Sequence, residues 1–79
     1  MEMIPVISSN LKSVGWKGNV ILENGYKAYD ILRIEFLHGG IYDYLNVNKE
    51  IYEAMMKEES KGSFWYRKIK GKYTELRVK

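Results

Sequence analysis

A Gly-Gly pair at residues 39–40 separates two stretches in which hydrophobic and polar residues alternate. Residues 31–36 have the period of two that is typical of a half-buried strand. Residues 41–45 alternate in the same way and place Tyr42 and Tyr44 on one face. Because paired glycines supply the positive φ angles that tight hairpin loops need, the sequence predicts a β-hairpin centred on the glycine pair.

Further strands are predicted on the N-terminal side of this hairpin. Residues 8–16 combine turn-forming residues with a short strand, and residues 20–23 are apolar and β-branched. The following Asn24-Gly25 dipeptide is the strongest short hairpin signal in the chain, with residues 26–29 as the returning strand. We therefore expect three or four antiparallel strands between about residues 8 and 46.

The two ends of the chain are less regular. Residues 1–7 are compatible with an edge strand, because Pro5 lacks an N–H and is tolerated only at a sheet edge or a strand start. Residues 73–78 alternate weakly and are compatible with a last strand or with a loose tail.

Two short helices are predicted after the strands, over about residues 48–59 and 61–70. Asn48 and Ser60 are candidate N-caps, and Gly71 is a candidate C-terminal stop. Strands followed by helices indicate an α+β fold, with the helices packed on one face of the antiparallel sheet. The helical residues expected to face the sheet are Ile51, Tyr52, Met55, Met56, Phe64 and Ile69.

The composition excludes several classes of functional site. A chain of 79 residues allows one small domain, residues 1–79. The absence of cysteine excludes thiol catalysis, disulfides and Cys-ligated metals, and the single histidine, His38, excludes multi-His metal sites. His38 also has no evident serine and carboxylate partners for hydrolysis. We therefore expect a non-enzymatic protein without a metal or other cofactor.

The sequence also predicts a cytoplasmic location. No apolar run approaches the roughly 18 residues that a membrane-spanning helix needs. Residues 1–7 include Glu2 and Pro5 and lack the basic start and long apolar stretch of a signal peptide.

Positive charge is concentrated at the C-terminal end. Residues 1–60 carry six Lys/Arg and nine Asp/Glu, a net charge of −3, whereas residues 61–79 carry seven Lys/Arg and one Glu, a net charge of +6. Clustered positive charge attracts anionic partners and speeds their association. It is equally compatible with a helix face that only contacts water, and both interpretations remain open from the sequence.

Aromatic residues are the second notable excess, at 14% of the chain and with seven tyrosines. Phe36, Phe64 and Tyr44 are the best core candidates, which leaves aromatic side chains available for a surface. Exposed aromatic rings beside Lys and Arg are typical of proteins that stack on bases and neutralise phosphates. The turn that opens the second helix adds two hydroxyls, a lysine and free amides, which form a candidate anion cradle. The predicted binding residues are Ser60, Lys61, Gly62, Ser63, Trp65, Tyr66, Arg67, Lys68, Lys70, Lys72 and Tyr42.

An ordered set of motifs covers about residues 8–73. It consists of Ser8-Ser9, Leu11, Val14-Gly15-Trp16, Leu32-x-Ile34-x-Phe36, Gly40, Tyr42-x-Tyr44, Val47, Ile51-Tyr52, Ser60-x-Gly62-x-Phe64-Trp65, Ile69 and Tyr73. This set resembles the KTSC family of small domains, which occur at the C-terminus of some lysyl-tRNA synthetases and as free-standing bacterial and phage proteins. The resemblance implies a compact α+β unit and suggests RNA binding.

The sequence departs from the family pattern in three places. Residues 17–29 are longer than the usual link, which is compatible with an inserted hairpin. Asn48 and Tyr66 stand where the family often has Pro and Asn, respectively. If the family used that Asn for binding, this chain has altered the site.

Three functional hypotheses follow. The first is an RNA- or single-strand-binding module that uses the basic and aromatic second helix. The second is an oligomeric, phage-type protein that sequesters a nucleotide-like anionic small molecule. The third is a protein–protein adaptor that uses its sheet edge. A homodimer or higher oligomer is expected, because a chain this short with many aromatic residues leaves apolar surface outside its core. The candidate interface residues are Trp16, Tyr26 and Tyr29.

Overall fold

The protein is an antiparallel β-sheet with two short helices on one face. The computed structural model describes residues 1–23 and 25–79, and within them the sheet has five strands in the order β1-β2-β3-β4-β5. The strands are β1 (Met3–Pro5), β2 (Leu11–Ile21), β3 (Ala28–Phe36), β4 (Ile41–Leu45) and β5 (Glu75–Arg77). The helices are α1 (Lys49–Lys57) and α2 (Lys61–Phe64), and α2 continues directly into a π-helical segment (Trp65–Ile69).

The strand number differs from the three or four predicted, because both ends of the chain join the sheet. Residues 8–46 supply three strands, β2 to β4. β1 pairs with β2, with Ile4 opposite Val14, and β5 pairs with β4, with Leu76 opposite Asp43. Each end strand is only three residues long, too short for its alternation to be distinctive in the sequence.

The predicted extra hairpin near residues 17–29 is instead the far end of one long hairpin. β2 and β3 remain paired through Val20 opposite Tyr29 and end at Ile21 opposite Ala28. The pairing register shifts between Lys17 and Val20, where Asn19 has a positive φ of 56°. Asparagine tolerates this left-handed conformation better than most residues. The predicted Asn24-Gly25 turn involves Asn24, which lies outside the described residues.

The hairpin predicted at the glycine pair is confirmed. β3 and β4 pair from Ile31 opposite Leu45 to Glu35 opposite Ile41. Gly39 has a φ of 106°, and its N–H donates to the Phe36 carbonyl at 2.9 Å.

Both predicted helix N-caps are also confirmed. The Asn48 side chain accepts a hydrogen bond from the Ile51 N–H at 2.9 Å, and the Ser60 hydroxyl accepts one from the Ser63 N–H at 3.2 Å. The second helix ends where expected, since Gly71 has a φ of 74°. Its π-helical part was not predicted, and the Lys70 N–H closes that part by donating to the Trp65 carbonyl at 2.8 Å.

The core lies between the sheet and the helices. Phe36, Tyr44 and Phe64 are buried in it, as predicted, together with Met55 and Ile69 from the helices. The remaining buried members of the core are Leu11, Val14, Leu32, Ile34 and Val47. On the opposite face of the sheet, Arg33 donates two hydrogen bonds to Asp43, at 2.6 and 2.9 Å.

Trp16 packs within the domain, although the sequence made it a candidate for a subunit interface. Its indole N–H donates to the Val47 carbonyl at 2.7 Å, and its ring stacks on Tyr52 with centroids 6.2 Å apart. The middle of β2 is thereby tied to α1. In the part of the chain that the structure describes, no helix is both long and apolar enough to cross a membrane.

A candidate aromatic binding pocket

An open pocket of about 260 Å³ lies where the β3–β4 turn, the last strand and the π-helical segment meet. Five of its seven lining side chains carry aromatic rings, if the imidazole of His38 is counted, and the other two are an amide and a carboxylate. The lining residues are Asn10, Phe36, His38, Tyr42, Tyr44, Trp65 and Glu75.

The alternation of the strands explains why these residues meet. Tyr42 and Tyr44 are two residues apart on β4 and therefore point to the same face of the sheet. In the register with β5, Tyr42 lies opposite Arg77 and Tyr44 lies opposite Glu75. Directly opposite residues in an antiparallel pair share a face, so β5 places the Glu75 carboxylate and the Arg77 guanidinium beside the two tyrosines.

A chain of hydrogen bonds crosses the pocket. The indole N–H of Trp65 donates to the hydroxyl of Tyr44 at 3.0 Å, and that hydroxyl donates to Glu75 Oε1 at 2.8 Å. Burial raises the pKa of the Tyr44 hydroxyl above its usual value, and the bond to Glu75 raises it further. Tyr44 therefore stays neutral at physiological pH and holds both the indole and the carboxylate in place.

The aromatic rings support one another around Phe36. The His38 imidazole stacks on Phe36 with centroids 5.2 Å apart, whereas Tyr42 and Trp65 approach it edge-on, at 5.6 and 5.0 Å. These contacts fix ring orientations before any ligand arrives, which lowers the entropic cost of binding.

Two cations lie against the aromatic walls of the pocket. The Lys70 ammonium lies 5.5 Å from the ring centroid of Trp65 and 5.1 Å from that of Tyr66. The Arg77 guanidinium lies 5.3 Å from the ring centroid of Tyr42 and also donates to its hydroxyl at 3.0 Å. Lys70 and Arg77 are both exposed, so each can contact an anion while resting on a ring. We refer to Lys70 and Arg77 as the rim cations.

The predicted binding residues divide into two groups. Tyr42 and Trp65 line the pocket, and Lys70 and Tyr66 lie beside it. The others lie elsewhere on the second helix and its flanks.

The predicted anion cradle is largely engaged in contacts within the chain. Ser60 caps the helix, the Lys61 ammonium donates to the Glu58 carbonyl at 2.6 Å, and the Ser63 hydroxyl accepts from Arg67 at 3.2 Å. Gly62 is buried, and a Cβ at this position would collide with Asn10 Oδ1. The glycine is thus explained by the close approach of α2 to the turn that supplies Asn10 to the pocket.

Three further predicted cations are exposed. Arg67 lies 3.7 Å from the Glu58 carboxylate. Lys68 and Lys72 form no ion pair with the residues that the structure describes. They add positive charge to this side of the molecule without lining the pocket.

The sequence reasoning missed Asn10, His38, Glu75 and Arg77 as site residues. A signal for the last two was present, because residues 75 and 77 have the spacing that puts side chains on one face of a strand. It could not be used while residues 73–78 were equally compatible with a loose tail. Among residues 1–23 and 25–79, no group of three or more acidic or His side chains is arranged to hold a metal ion.

Comparison with known proteins identifies the family. The KTSC domain profile matches residues 7–73. The structure is similar to the crystal structure of a KTSC domain protein from Yersinia pestis, with 31% sequence identity, a TM-score of 0.80, and coverage of 99% of this chain and 97% of that one. Comparison with curated proteins finds no match. The expected resemblance is therefore confirmed over most of the chain, which belongs to the KTSC domain family.

Proposed function

We propose that this protein is a non-enzymatic module that binds single-stranded nucleic acid, RNA in particular. The observation that carries the proposal is the aromatic pocket with Lys70 and Arg77 resting on its walls. Aromatic rings stack on unpaired bases, and adjacent cations neutralise the phosphates that connect them.

The geometry favours single strands over duplexes. The pocket is a concave space between a sheet edge and a helix, and its rings can stack only on a base that has left its own stack. An unpaired base is already available for such contact, whereas a paired base must first be extruded at a cost of a few kcal/mol.

The distribution of charge supports the same proposal. The pocket lies beside the segment with a net charge of +6, whereas the rest of the chain has a net charge of −3. A single-stranded nucleic acid that lies along the positively charged surface of residues 61–79 can therefore place one base in the pocket and the neighbouring phosphates near the rim cations. Lys68 and Lys72 extend the positive surface beyond the pocket.

The proposal is tested by titrating a fluorescent single-stranded RNA of twelve nucleotides, and a duplex DNA of equal length, at two salt concentrations. We expect the RNA to bind more tightly and its affinity to fall with salt, by about 0.7 in the logarithmic slope for each phosphate contact. An absence of RNA binding at low salt would falsify the proposal.

Three double variants locate the site. Lys70→Ala with Arg77→Ala removes the rim cations, and Arg67→Ala with Lys68→Ala removes charge from the outer side of the second helix. Lys49→Ala with Lys57→Ala is the matched control, since it removes two exposed charges from α1.

The rim variant should lose the most affinity and flatten the salt slope by up to about 1.4. The outer-helix variant should lose less, because Arg67 is already engaged with Glu58. The control should change binding least. Equal losses in all three variants would show that only total charge matters and that the pocket is not the site.

A free nucleotide-like anion is the second candidate ligand. The pocket volume of about 260 Å³ is close to the lower end of the range for small-molecule sites, about 300 Å³. If a mononucleotide raises the melting temperature while RNA binds weakly, sequestration of a small molecule replaces nucleic-acid binding. If neither ligand binds, the protein–protein adaptor hypothesis remains.

A further inference from the structure

The presence of a carboxylate in the proposed nucleic-acid pocket needs an explanation. Glu75 is an exposed residue that lines the pocket among aromatic rings, although a negative charge repels phosphates. Its Oε1 accepts from Tyr44, whose hydroxyl in turn accepts from the Trp65 indole. The carboxylate is therefore oriented by the same two side chains that form the pocket walls.

The chemistry of a carboxylate limits which base it can recognise. An ionised carboxylate only accepts hydrogen bonds, and its two oxygens suit two adjacent donors. Guanine presents such a pair on its Watson–Crick edge, the ring N1–H and the exocyclic N2 amine. Adenine and cytosine place an accepting ring nitrogen beside their amine, and uracil places its N–H between two carbonyl oxygens. Of the four RNA bases, only guanine can bring two adjacent donors to the two carboxylate oxygens without an acceptor beside them.

A cationic ligand fits this pocket less well, even though aromatic cages with an acid are suited to cations. Lys70 already lies against Trp65, and Arg77 already lies against Tyr42. An incoming cation would be repelled by both. A neutral base that is attached to phosphate suits the charges of Glu75, Lys70 and Arg77 together. Its N–H groups donate to the Glu75 carboxylate, and its phosphate pairs with the two rim cations.

We infer that the pocket selects a guanine base within single-stranded nucleic acid, with the Glu75 carboxylate accepting from guanine N1–H and N2–H. Trp65 and Tyr42 provide the stacking surfaces, and Lys70 and Arg77 lie near the adjoining phosphates. This inference rests on the proposed function, and it makes Glu75 the residue that determines base specificity.

The test uses four oligonucleotides, each with seven uridines and one central position occupied by guanosine, adenosine, cytidine or uridine. Their affinities are compared for the wild-type protein, Glu75→Gln and the control Glu53→Gln. Glu53 is an exposed glutamate on α1, so both variants remove one exposed negative charge. Glutamine at position 75 keeps an oxygen for Tyr44 but replaces the other acceptor with an amide donor.

We expect the guanosine oligonucleotide to bind about 5- to 150-fold more tightly than the others to the wild type, which is the range for one bidentate contact to a base. Glu53→Gln should keep this preference, and Glu75→Gln should lose it while still binding all four oligonucleotides. A preference confined to the wild type and the control would assign base selection to Glu75.

Other outcomes separate this inference from the proposed function. Equal binding of all four oligonucleotides by the wild type, or a guanine preference that survives in Glu75→Gln, overturns the inference and leaves nucleic-acid binding intact. No binding of any oligonucleotide overturns both. Guanosine monophosphate is titrated in parallel, and if it binds as tightly as the guanosine oligonucleotide, free guanine nucleotide rather than nucleic acid is the ligand and the inference fails.

Discussion

Single side chains in this domain serve both the core and the pocket. Tyr44 is buried at 1% exposure, and its hydroxyl connects Trp65 to Glu75. Phe64 and Trp65 are consecutive in the second helix, yet Phe64 enters the core while Trp65 faces the pocket. The same stretch of chain therefore carries one residue whose loss should unfold the domain beside another whose loss should affect binding.

Tyr44 should make stability sensitive to alkaline pH. Its pKa is raised by burial and by the bond to Glu75, so above pH 10 an unfolded Tyr44 loses a proton that the folded protein keeps. The free energy of unfolding should consequently fall as the pH rises above about 10, by up to about 1.4 kcal/mol per pH unit. Denaturant titrations between pH 8 and 11 measure this slope.

Tyr44→Phe is the control for the alkaline effect. It should be less stable than the wild type at pH 8, because the Trp65 and Glu75 groups lose their partner, but it should show a shallower decline above pH 10. An unchanged decline would mean that another group causes it.

Phe64→Ala should destabilise the domain severely. Phe64 is 5% exposed in the core, and removal of such a ring costs about 3 to 5 kcal/mol. A domain of this length has a total stability of roughly 4 to 12 kcal/mol, so the variant should lose a large fraction of its stability and melt at a much lower temperature. Thermal denaturation followed by circular dichroism measures the effect.

Tyr66→Ala provides a matched comparison two positions along the same helix. Tyr66 is 65% exposed, and its removal should cost less than about 1 kcal/mol. Similar losses for the two variants would contradict the assignment of Phe64 to the core.

At the scale of elements, the pocket depends on how the second helix meets the turn before β2. The Ser8 hydroxyl accepts from the Asn10 and Leu11 amides and organises that turn, and the turn brings Asn10 against Gly62. The absence of a side chain at residue 62 allows this contact. The helix and the turn, which are about 50 residues apart in sequence, then form adjacent walls of one site.

Gly62→Ala should separate these two elements. The added Cβ meets the Asn10 side-chain oxygen, and overpacking of this kind costs about 1 to 3 kcal/mol. The variant should melt at a lower temperature and bind the pocket's ligand more weakly. Gly25→Ala is the control, because a Cβ there makes only ordinary contacts. A stable Gly62→Ala variant would show that the turn moves away without cost.

At the scale of the whole molecule, the long β2–β3 hairpin carries exposed apolar side chains away from the core. Ile21 is 63% exposed and Tyr26 is fully exposed near the hairpin end. Tyr29 is only half-buried, with the Lys27 ammonium 5.4 Å from the centre of its ring. Trp16 packs against α1, so Ile21, Tyr26 and Tyr29 are the residues that would support self-association.

We expect the protein to form a homodimer or higher oligomer through this hairpin end. Light scattering at micromolar concentration should give at least twice the mass of the 9.3 kDa chain. Ile21→Ser combined with Tyr26→Ser should reduce that mass without lowering the melting temperature of the monomer, because neither residue is buried. A wild-type mass near that of one chain would refute the expectation.

The sequence alone determined the parts of the fold that depend on local signals. Alternation about the glycine pair predicted the β3–β4 hairpin, Asn48 and Ser60 predicted the helix starts, and Gly71 predicted the helix end. These signals act between residues that are at most a few positions apart, through backbone conformation and side-chain caps, and they do not depend on the rest of the molecule.

Only the tertiary structure decided the pocket. The sequence predicted Tyr42 and Trp65 as binding residues, and both line the pocket. Glu75 and Arg77 lie beside them only because of the register in which β5 pairs with β4. That register joins residues more than 30 positions apart, and a three-residue strand contains too little alternation to specify it. Short edge strands take their position from the sheet that they join, so the placement of Glu75 and Arg77 beside the tyrosines is decided only when the sheet is assembled.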